Sequence, residues 1–419
     1  MTPQPAPIGF ASARWLLAAV GTSKLGGLSF GVVATWAIGS ALGSDAVGTT
    51  NACAGVATLL VGLFGTFWID RVDRRKLLIA IDVTAAAACG VVSAWQFTHP
   101  GSVSLAQIAT LMILLAALAA LYSPSSRALT PLITDPRSLI RVNSAYAIVS
   151  EVARSAGPVV GAALLLGGDA GLPAATAVNG ISFLVSAALT MAVSTRCAEA
   201  PTDRSEKRLE LILGGVRFLK LDRALSREVW CATSLNFFLM APTFVLLTRS
   251  TQTGWGAAAF GLGNVAEAAG ALAGGIAAGV LASRINGFRA AHLAPVVATG
   301  LACLTIDSLA VTALVLFTLG GVVAAYNVVL FTRLQTSAPA ALIGRVFAFV
   351  VTLAGASLPL GNMVFGQLSS AVSPPVLAMI AAIGFVAVSA VVLLASRRPP
   401  SLLPPADGAD APTDRADHA

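Results

Sequence analysis

Charge is scarce in this sequence. Only 11% of its 419 residues are Asp, Glu, Lys or Arg, whereas 56% are hydrophobic and the mean hydropathy is +0.84. A soluble domain is about 25% charged, so the composition argues against a soluble enzyme. Cysteine is also sparse. Five residues, at 53, 89, 197, 231 and 303, form no CxxC pair, which removes a disulfide scaffold. The three histidines, His99, His292 and His418, stand far apart and give no support to a His-based metal site. No GxxxxGK[ST] run occurs, so nothing points to ATP drive within the chain. HExxH, Ser/His/Asp and paired-Asp signatures are missing too, and with them the case for an intramembrane enzyme. Neither a cofactor nor a metal is expected. The N-terminal stretch 1–14 is polar and Pro-rich, with no apolar core ahead of a small-residue cleavage site. The first apolar segment, Trp15 to Ala41, is too long for a signal peptide and reads as an uncleaved helix.

What the sequence has is long apolar runs. A spanning helix needs about 20 such residues. Candidate spans lie at 15–41, 45–69, 76–97, 104–127, 139–166 and 172–195, then at 225–248, 255–282, 290–306, 309–333, 342–371 and 376–396. The pattern predicts an all-α integral membrane protein with 12 transmembrane helices in two pseudo-symmetric six-helix bundles. The organisation is a tail at 1–14, a bundle at 15–195, a linker at 196–224, a bundle at 225–396 and a disordered tail at 397–419. The linker has an amphipathic stretch from Leu209 to Leu219 suited to lying on headgroups. With both termini placed inside, 23 of the 26 Lys and Arg fall on inner loops and ends. That asymmetry follows the positive-inside rule and accounts for the net charge of +7 without invoking nucleic acid.

The two halves repeat weakly. Arg127 followed by Pro136-Arg-Ser-Leu-Ile-Arg141-Val lies after the fourth span, and Arg333 followed by Pro339-Ala-Ala-Leu-Ile-Gly-Arg345-Val after the tenth. Asp70-Arg71-Val-Asp-Arg74-Arg75 after the second span is matched by Ser283-Arg284 after the eighth. A duplicated six-helix unit is a transporter architecture, with the substrate site near the midplane between the halves.

On these residues the chain resembles the major facilitator superfamily (MFS). The run Tyr122-Ser-Pro-Ser-Ser-Arg127, then Gly157-Pro158-Val-Val-Gly161, and Gly344-Arg345-Val-Phe347 are similar to the subgroup of enterobactin-type and macrolide-type exporters. The resemblance covers about 15–396. It implies that Asp70 sits at the N-terminus of span 11 near Arg345, where orphan N–H groups stabilise a carboxylate. With Arg71, Arg74 and Arg75, it would latch the halves together on the inside, Arg74 pairing with acids of the neighbouring helix. Gly157, Pro158 and Gly161 resemble an antiport-associated motif in span 5, where proline bends a helix and glycine lets helices approach. The subgroup often has an acid after Ser-x-x-Gly in span 1, whereas Ser23-Lys24-Leu25-Gly26 is followed here by Gly27.

Ionisable groups inside spans are functional candidates by default. Counting about 1.5 Å per residue, Lys24, Glu151 and Glu267 all fall near the midplane. Arg154 shares a helix face with Glu151. Burial disfavours a charged carboxyl and a nearby cation restores it, so a site that alternates between the two can load and release a proton. Glu267 is the better proton carrier, because no cation is near it in sequence, while Glu151 is expected to stay paired with Arg154 or to serve as a structural pair. Asp82 is expected to pair with a loop arginine, and Arg127 to end the fourth helix; either could instead join proton transfer. Glycine stripes at 48, 55 and 62, and at 270, 274, 275 and 279, read as packing at a rocking interface.

Substrate-cavity walls are expected from Lys24, Trp36, Asn236, Phe237, Phe238, Tyr326 and Asn327. Apolar and aromatic surface with few polar groups suits an amphipathic organic molecule. The leading expectation is proton-coupled efflux of a drug, antibiotic or siderophore-like metabolite from a bacterial cytoplasmic membrane. The alternative is a lipid or lysolipid facilitator of the same fold, and a non-transporting sensor is a third class. The expected partners are a small-molecule substrate, protons and the bilayer, with the chain acting as a monomer.

Overall fold

With no water in the bilayer core, a spanning backbone must satisfy its own hydrogen bonds, and the helix is the local solution. The computed structural model describes residues 10–65, 72–99, 104–135, 138–194, 223–281, 293–337 and 343–395, and among them there is no strand. The first bundle contains α1 (Phe10–Leu42), α2 (Ser44–Phe64), α3 (Arg74–Thr98), α4 (Leu105–Ile133), α5 (Leu139–Leu165) and α6 (Gly171–Met191). The second contains α7 (Arg223–Phe238), α8 (Met240–Gln252), α9 (Gly256–Leu281), α10 (Ala294–Cys303), α11 (Leu309–Ser337), α12 (Ile343–Ala371) and α13 (Pro374–Ala395). The pair α7 and α8 makes one crossing, so thirteen helices give twelve spans. Among the described residues nine helical stretches are long and apolar enough to cross a membrane. The expected linker helix and both tails lie outside the described residues.

Two boundaries differ from expectation for local reasons. Span 7 breaks at Leu239, because Pro242 lacks the N–H that would bond the Phe238 carbonyl and its ring crowds that oxygen. The fourth helix runs on to Ile133 through Pro124 and Pro131, so Arg127 lies inside α4 instead of ending it.

The chain crosses back and forth, so each bundle has one end near α1's start and a far end near Leu42. Contact between the bundles gathers at the far end. Ser369 Oγ donates to Ser44 Oγ at 2.7 Å, Gln367 Nε2 to Thr49 Oγ1 at 3.2 Å, and Asn51 Nδ2 to Asn362 Oδ1 at 3.3 Å. A Cβ on Gly48 would lie 2.6 Å from the Asn362 carbonyl oxygen, and one on Gly55 would overlap Pro359. One hydrophobic core runs through both bundles here, joining Phe30, Ile38 and Val47 to Phe244, Leu247 and Phe365. A second core, including Leu16, Val20, Leu78, Tyr122 and Tyr146, belongs to the first bundle alone and fills its other half.

The glycine stripes divide between two jobs. Gly48 and Gly55 do pack across the bundle interface. On α9, however, Gly270 and Gly274 face α11 of the same bundle, where a methyl would overlap the Phe317 and Gly321 carbonyl oxygens. Gly320 of α11 returns the contact against Glu267's carbonyl. The reason is that α9 meets α5 through Gly261 and Ala162 instead, closer to the far end. Gly274→Leu is therefore expected to cost roughly 3 kcal/mol or more, read as a lower unfolding midpoint in detergent. Gly279→Leu should leave the midpoint nearly unchanged, because a side chain there meets nothing within 4 Å.

Candidate functional site

The loop after α2 delivers its charges to the base of the first bundle. Asp73 caps α3, its Oδ1 accepting from the Arg75 and Lys76 N–H groups at 2.9 and 3.2 Å. Arg74 Nη1 donates to the Ala128 carbonyl at 3.4 Å. Arg75 Nε donates to the Thr190 carbonyl at 3.2 Å, and its Nη2 to the Met191 carbonyl. The last two are end carbonyls of α6, which have no partner within their own helix. The expectation that Arg74 pairs with acids of a neighbouring helix is thus corrected: both arginines bind backbone oxygens of α4 and α6. Asp70 and Arg71 lie outside the described residues, as does the side chain of Arg345, whose backbone is in the first turn of α12.

At mid-depth, α1, α4 and α5 bring several charges together. Lys24 Nζ donates to Ser150 Oγ at 2.9 Å and stands over the Tyr146 ring at 5.5 Å. Arg127 stands over the same ring at 4.7 Å. Tyr146 is fixed through its hydroxyl, 2.8 Å from Ser126 Oγ. One turn on, Arg154 grips Glu151 Oε2 with Nε at 3.0 Å and Nη2 at 2.6 Å. Glu267 of α9, in the other bundle, lies within electrostatic reach of Arg154. Glu267 has no cation near it in sequence but has one in space. Its side chain retains accessible surface at this position between the bundles.

Part of this cluster borders a cavity of about 590 Å³. Lys24, Glu151, Arg154, Tyr122 and Ser150 supply its polar points, and Leu28, Phe30, Met112, Leu115 and Phe183 much of its apolar wall. Every lining residue belongs to the first bundle. The sequence model of the Major Facilitator Superfamily matches residues 16–361.

The chain belongs to the Major Facilitator Superfamily. Among its relatives is the multidrug efflux pump Tap of Mycobacterium tuberculosis (strain ATCC 25618 / H37Rv), 28% identical over 341 residues, covering 75% of this chain and 77% of the pump. The fold is similar to that of a bacterial homologue of the iron transporter ferroportin, with a TM-score of 0.68 and 14% identity over 92% of this chain and 99% of that one. It is also similar to the nucleoside transporter NupG, with a TM-score of 0.69 and 10% identity over 93% of this chain and all of that one, 100%. As in other superfamily members, the chain is a multi-pass membrane protein and not an enzyme.

Within this superfamily fold, other expected site residues go elsewhere. Asp82 meets no loop arginine among the described residues. It is fully buried behind the cavity wall, where Ser186 Oγ donates to its Oδ2 at 2.6 Å, and Oδ1 has no hydrogen-bond partner among the described residues. Ser186 is in turn 3.2 Å from the Tyr122 hydroxyl, so two hydroxyls link Asp82 to the cavity. Gly157 and Gly161 close α5 onto α1, a Cβ at each falling within 2.5 Å of Leu28 Cβ and 2.8 Å of the Ser29 carbonyl oxygen. The α5 helix continues through Pro158 without a break.

The expected cavity walls from the second half are also corrected. Phe237 and Phe238 pack into an aromatic cluster with Phe365 and Phe385, with ring centroids 5.0 to 6.0 Å apart. Asn236, Tyr326 and Asn327 border a small void of about 40 Å³ inside the second bundle. Asn236 donates to the Ala354 carbonyl at 3.3 Å, and the Tyr326 hydroxyl to the Glu228 carbonyl at 2.6 Å. Trp36 lies against Phe260 at 5.7 Å and borders a different cavity, of about 800 Å³, at the far end.

Arg249, in the last turn of α8, is 1% exposed. It donates to Thr312 Oγ1 at 3.0 Å and to the Leu304 carbonyl at 2.7 Å, and pairs with Asp307 at 3.4 Å. It ties the end of α8 to the turn between α10 and α11. The only signal in sequence was a lone arginine beside Trp255, over whose ring it stands at 5.4 Å.

Tyr146 tests the mid-depth cluster. Tyr146→Leu removes the ring that two cations share and should destabilise the protein by about 2 kcal/mol, at roughly 1 kcal/mol per cation. Tyr146→Phe keeps the ring and should lose less than half of that, both read from thermal unfolding of the purified protein.

Proposed function

We propose that this chain is a proton-coupled exporter of small amphipathic organic compounds, working by alternating access in a bacterial cytoplasmic membrane with both termini inside. The observation that supports this reading is the charge group formed by Lys24, Glu151, Arg154 and Glu267, beside a cavity of drug-sized volume. Charges at mid-bilayer are costly to keep and mark ion or substrate paths. The relative named a multidrug efflux pump makes drug-like compounds the first substrates to try.

In this mechanism Arg154 mediates between the two acids. While it holds Glu151, Glu267 is the acid free to exchange a proton with a water path between the bundles. Asp82, joined to the cavity through Ser186 and Tyr122, and Arg127, beside Lys24, are further groups through which protonation can be felt by a bound compound. The far-end seam between α2 and α12 closes one side, and Asp70, Arg71, Arg74, Arg75 and Arg345 latch the other when the bundles rock back.

The test is flux in inverted vesicles holding a pH gradient, with lipophilic antibiotics and siderophores added in turn. Compounds that are carried should discharge the gradient, and Glu267→Gln should cut that discharge at least about tenfold while leaving substrate binding in place. A panel without effect, together with gradient-independent movement of a labelled lysolipid, would replace export by lipid transfer. Alternating access has its own test. Cysteines placed at Thr49 and Gln367, which touch across the far-end seam, should cross-link and stop transport, and reduction should restore it. Full transport after cross-linking would sink the rocking mechanism.

A further inference from the structure

The charge balance of the 590 Å³ cavity is uneven. Glu151 gives Oε2 to Arg154 through two nitrogens, which closes that pair. Lys24 is left over. Its Nζ touches the neutral hydroxyl of Ser150 at 2.9 Å. Among the described residues no carboxylate oxygen lies within 4.0 Å of it. Arg127 and Glu151 act on it only from farther off, with opposite signs. An ammonium ion in a membrane protein's interior calls for a counter-charge, and this one stands at the edge of an open, largely apolar space.

We infer that the cavity takes an amphipathic anion, whose carboxylate accepts from Lys24 Nζ and the Ser150 hydroxyl while its apolar body lies on Leu28, Phe30, Met112 and Phe183. This rests on the export reading and narrows its substrate class. Two features favour an anion over a cation. The one acid in the wall already shares its charge with an arginine, whereas Lys24 has only a neutral hydroxyl in contact. Arg127, over the same Tyr146 ring as Lys24, brings a second positive charge to this end of the cavity. Tyr122, Ser23 and Ser123, in the same wall, offer hydroxyls for the second carboxylate oxygen.

The experiment uses the full chain, purified in a non-ionic detergent, and matched ligands: nalidixate, ibuprofen and cholate, each against its own carboxamide. Binding is read as ligand-dependent thermal stabilisation. The carboxylates should bind the wild type about tenfold more tightly than the carboxamides, the worth of one charge-assisted hydrogen bond. Lys24→Gln should bring the ratio near one without weakening the carboxamides, and Lys24→Arg should restore most of it. Equal binding of acid and amide by the wild type, binding of neither, or a preference that survives Lys24→Gln would overturn the inference. Flux of the same acids and amides in vesicles separates this from failure of the export reading. Amide efflux equal to acid efflux and untouched by Lys24→Gln leaves an exporter whose substrate is not an anion. Acid-selective binding without flux of any compound leaves the site and removes export.

Discussion

A polar group inside a bilayer has no water to turn to, and leaving it unpaired costs several kcal/mol. The architecture follows from that constraint. The backbone meets it by forming helices throughout the described spans. Where helices end, side chains take over: Arg75 binds the last carbonyls of α6, Asp73 caps the first N–H groups of α3, and Arg249 closes on the Leu304 carbonyl. Each of these contacts is also a tertiary tie, so satisfying the backbone and joining the helices are the same act.

Association of the helices then depends on close approach, because lipid is as apolar as leucine and burial alone drives little. Glycine makes that approach possible at two kinds of seam. Between α9 and α11 it is permanent, with backbone against backbone inside one bundle. Between α2 and α12 it joins the bundles, with serine, threonine, asparagine and glutamine hydrogen bonds along the same face. Both seams hold glycine contacts that a methyl would break. The second adds a row of single side-chain hydrogen bonds that can be exchanged, which suits an interface that must part.

Within this frame, the charges at mid-depth are the exception that needs a reason. Arg154 sits where both bundles can use it, and its pairing with Glu151 leaves Lys24 as the odd charge in the cavity wall. The cavity is thus asymmetric: its lining lies in the first bundle, whereas Glu267 lies in the second. A compound bound on one side and a proton on the other would communicate through a single guanidinium.

Much of this was legible in sequence, because apolar run length, inner-loop charge and the duplicated loop motifs are properties of segments. The twelve spans, the two bundles and the Glu151–Arg154 pair all follow from run length and from spacing along a helix of known rise. Helix partners do not, since which face meets which neighbour is a property of the packed whole. Phe237 and Phe238 look like cavity walls until Phe365 and Phe385 are seen to enclose them. Asp82 looks near enough to a loop arginine until Ser186 of α6 takes its place. The α9 glycines look like a sliding surface until α11 is found against them. Sequence determined what must be buried in the membrane and how deep; tertiary structure decided which charge answers which, because electrostatic partners here come from helices far apart in the chain.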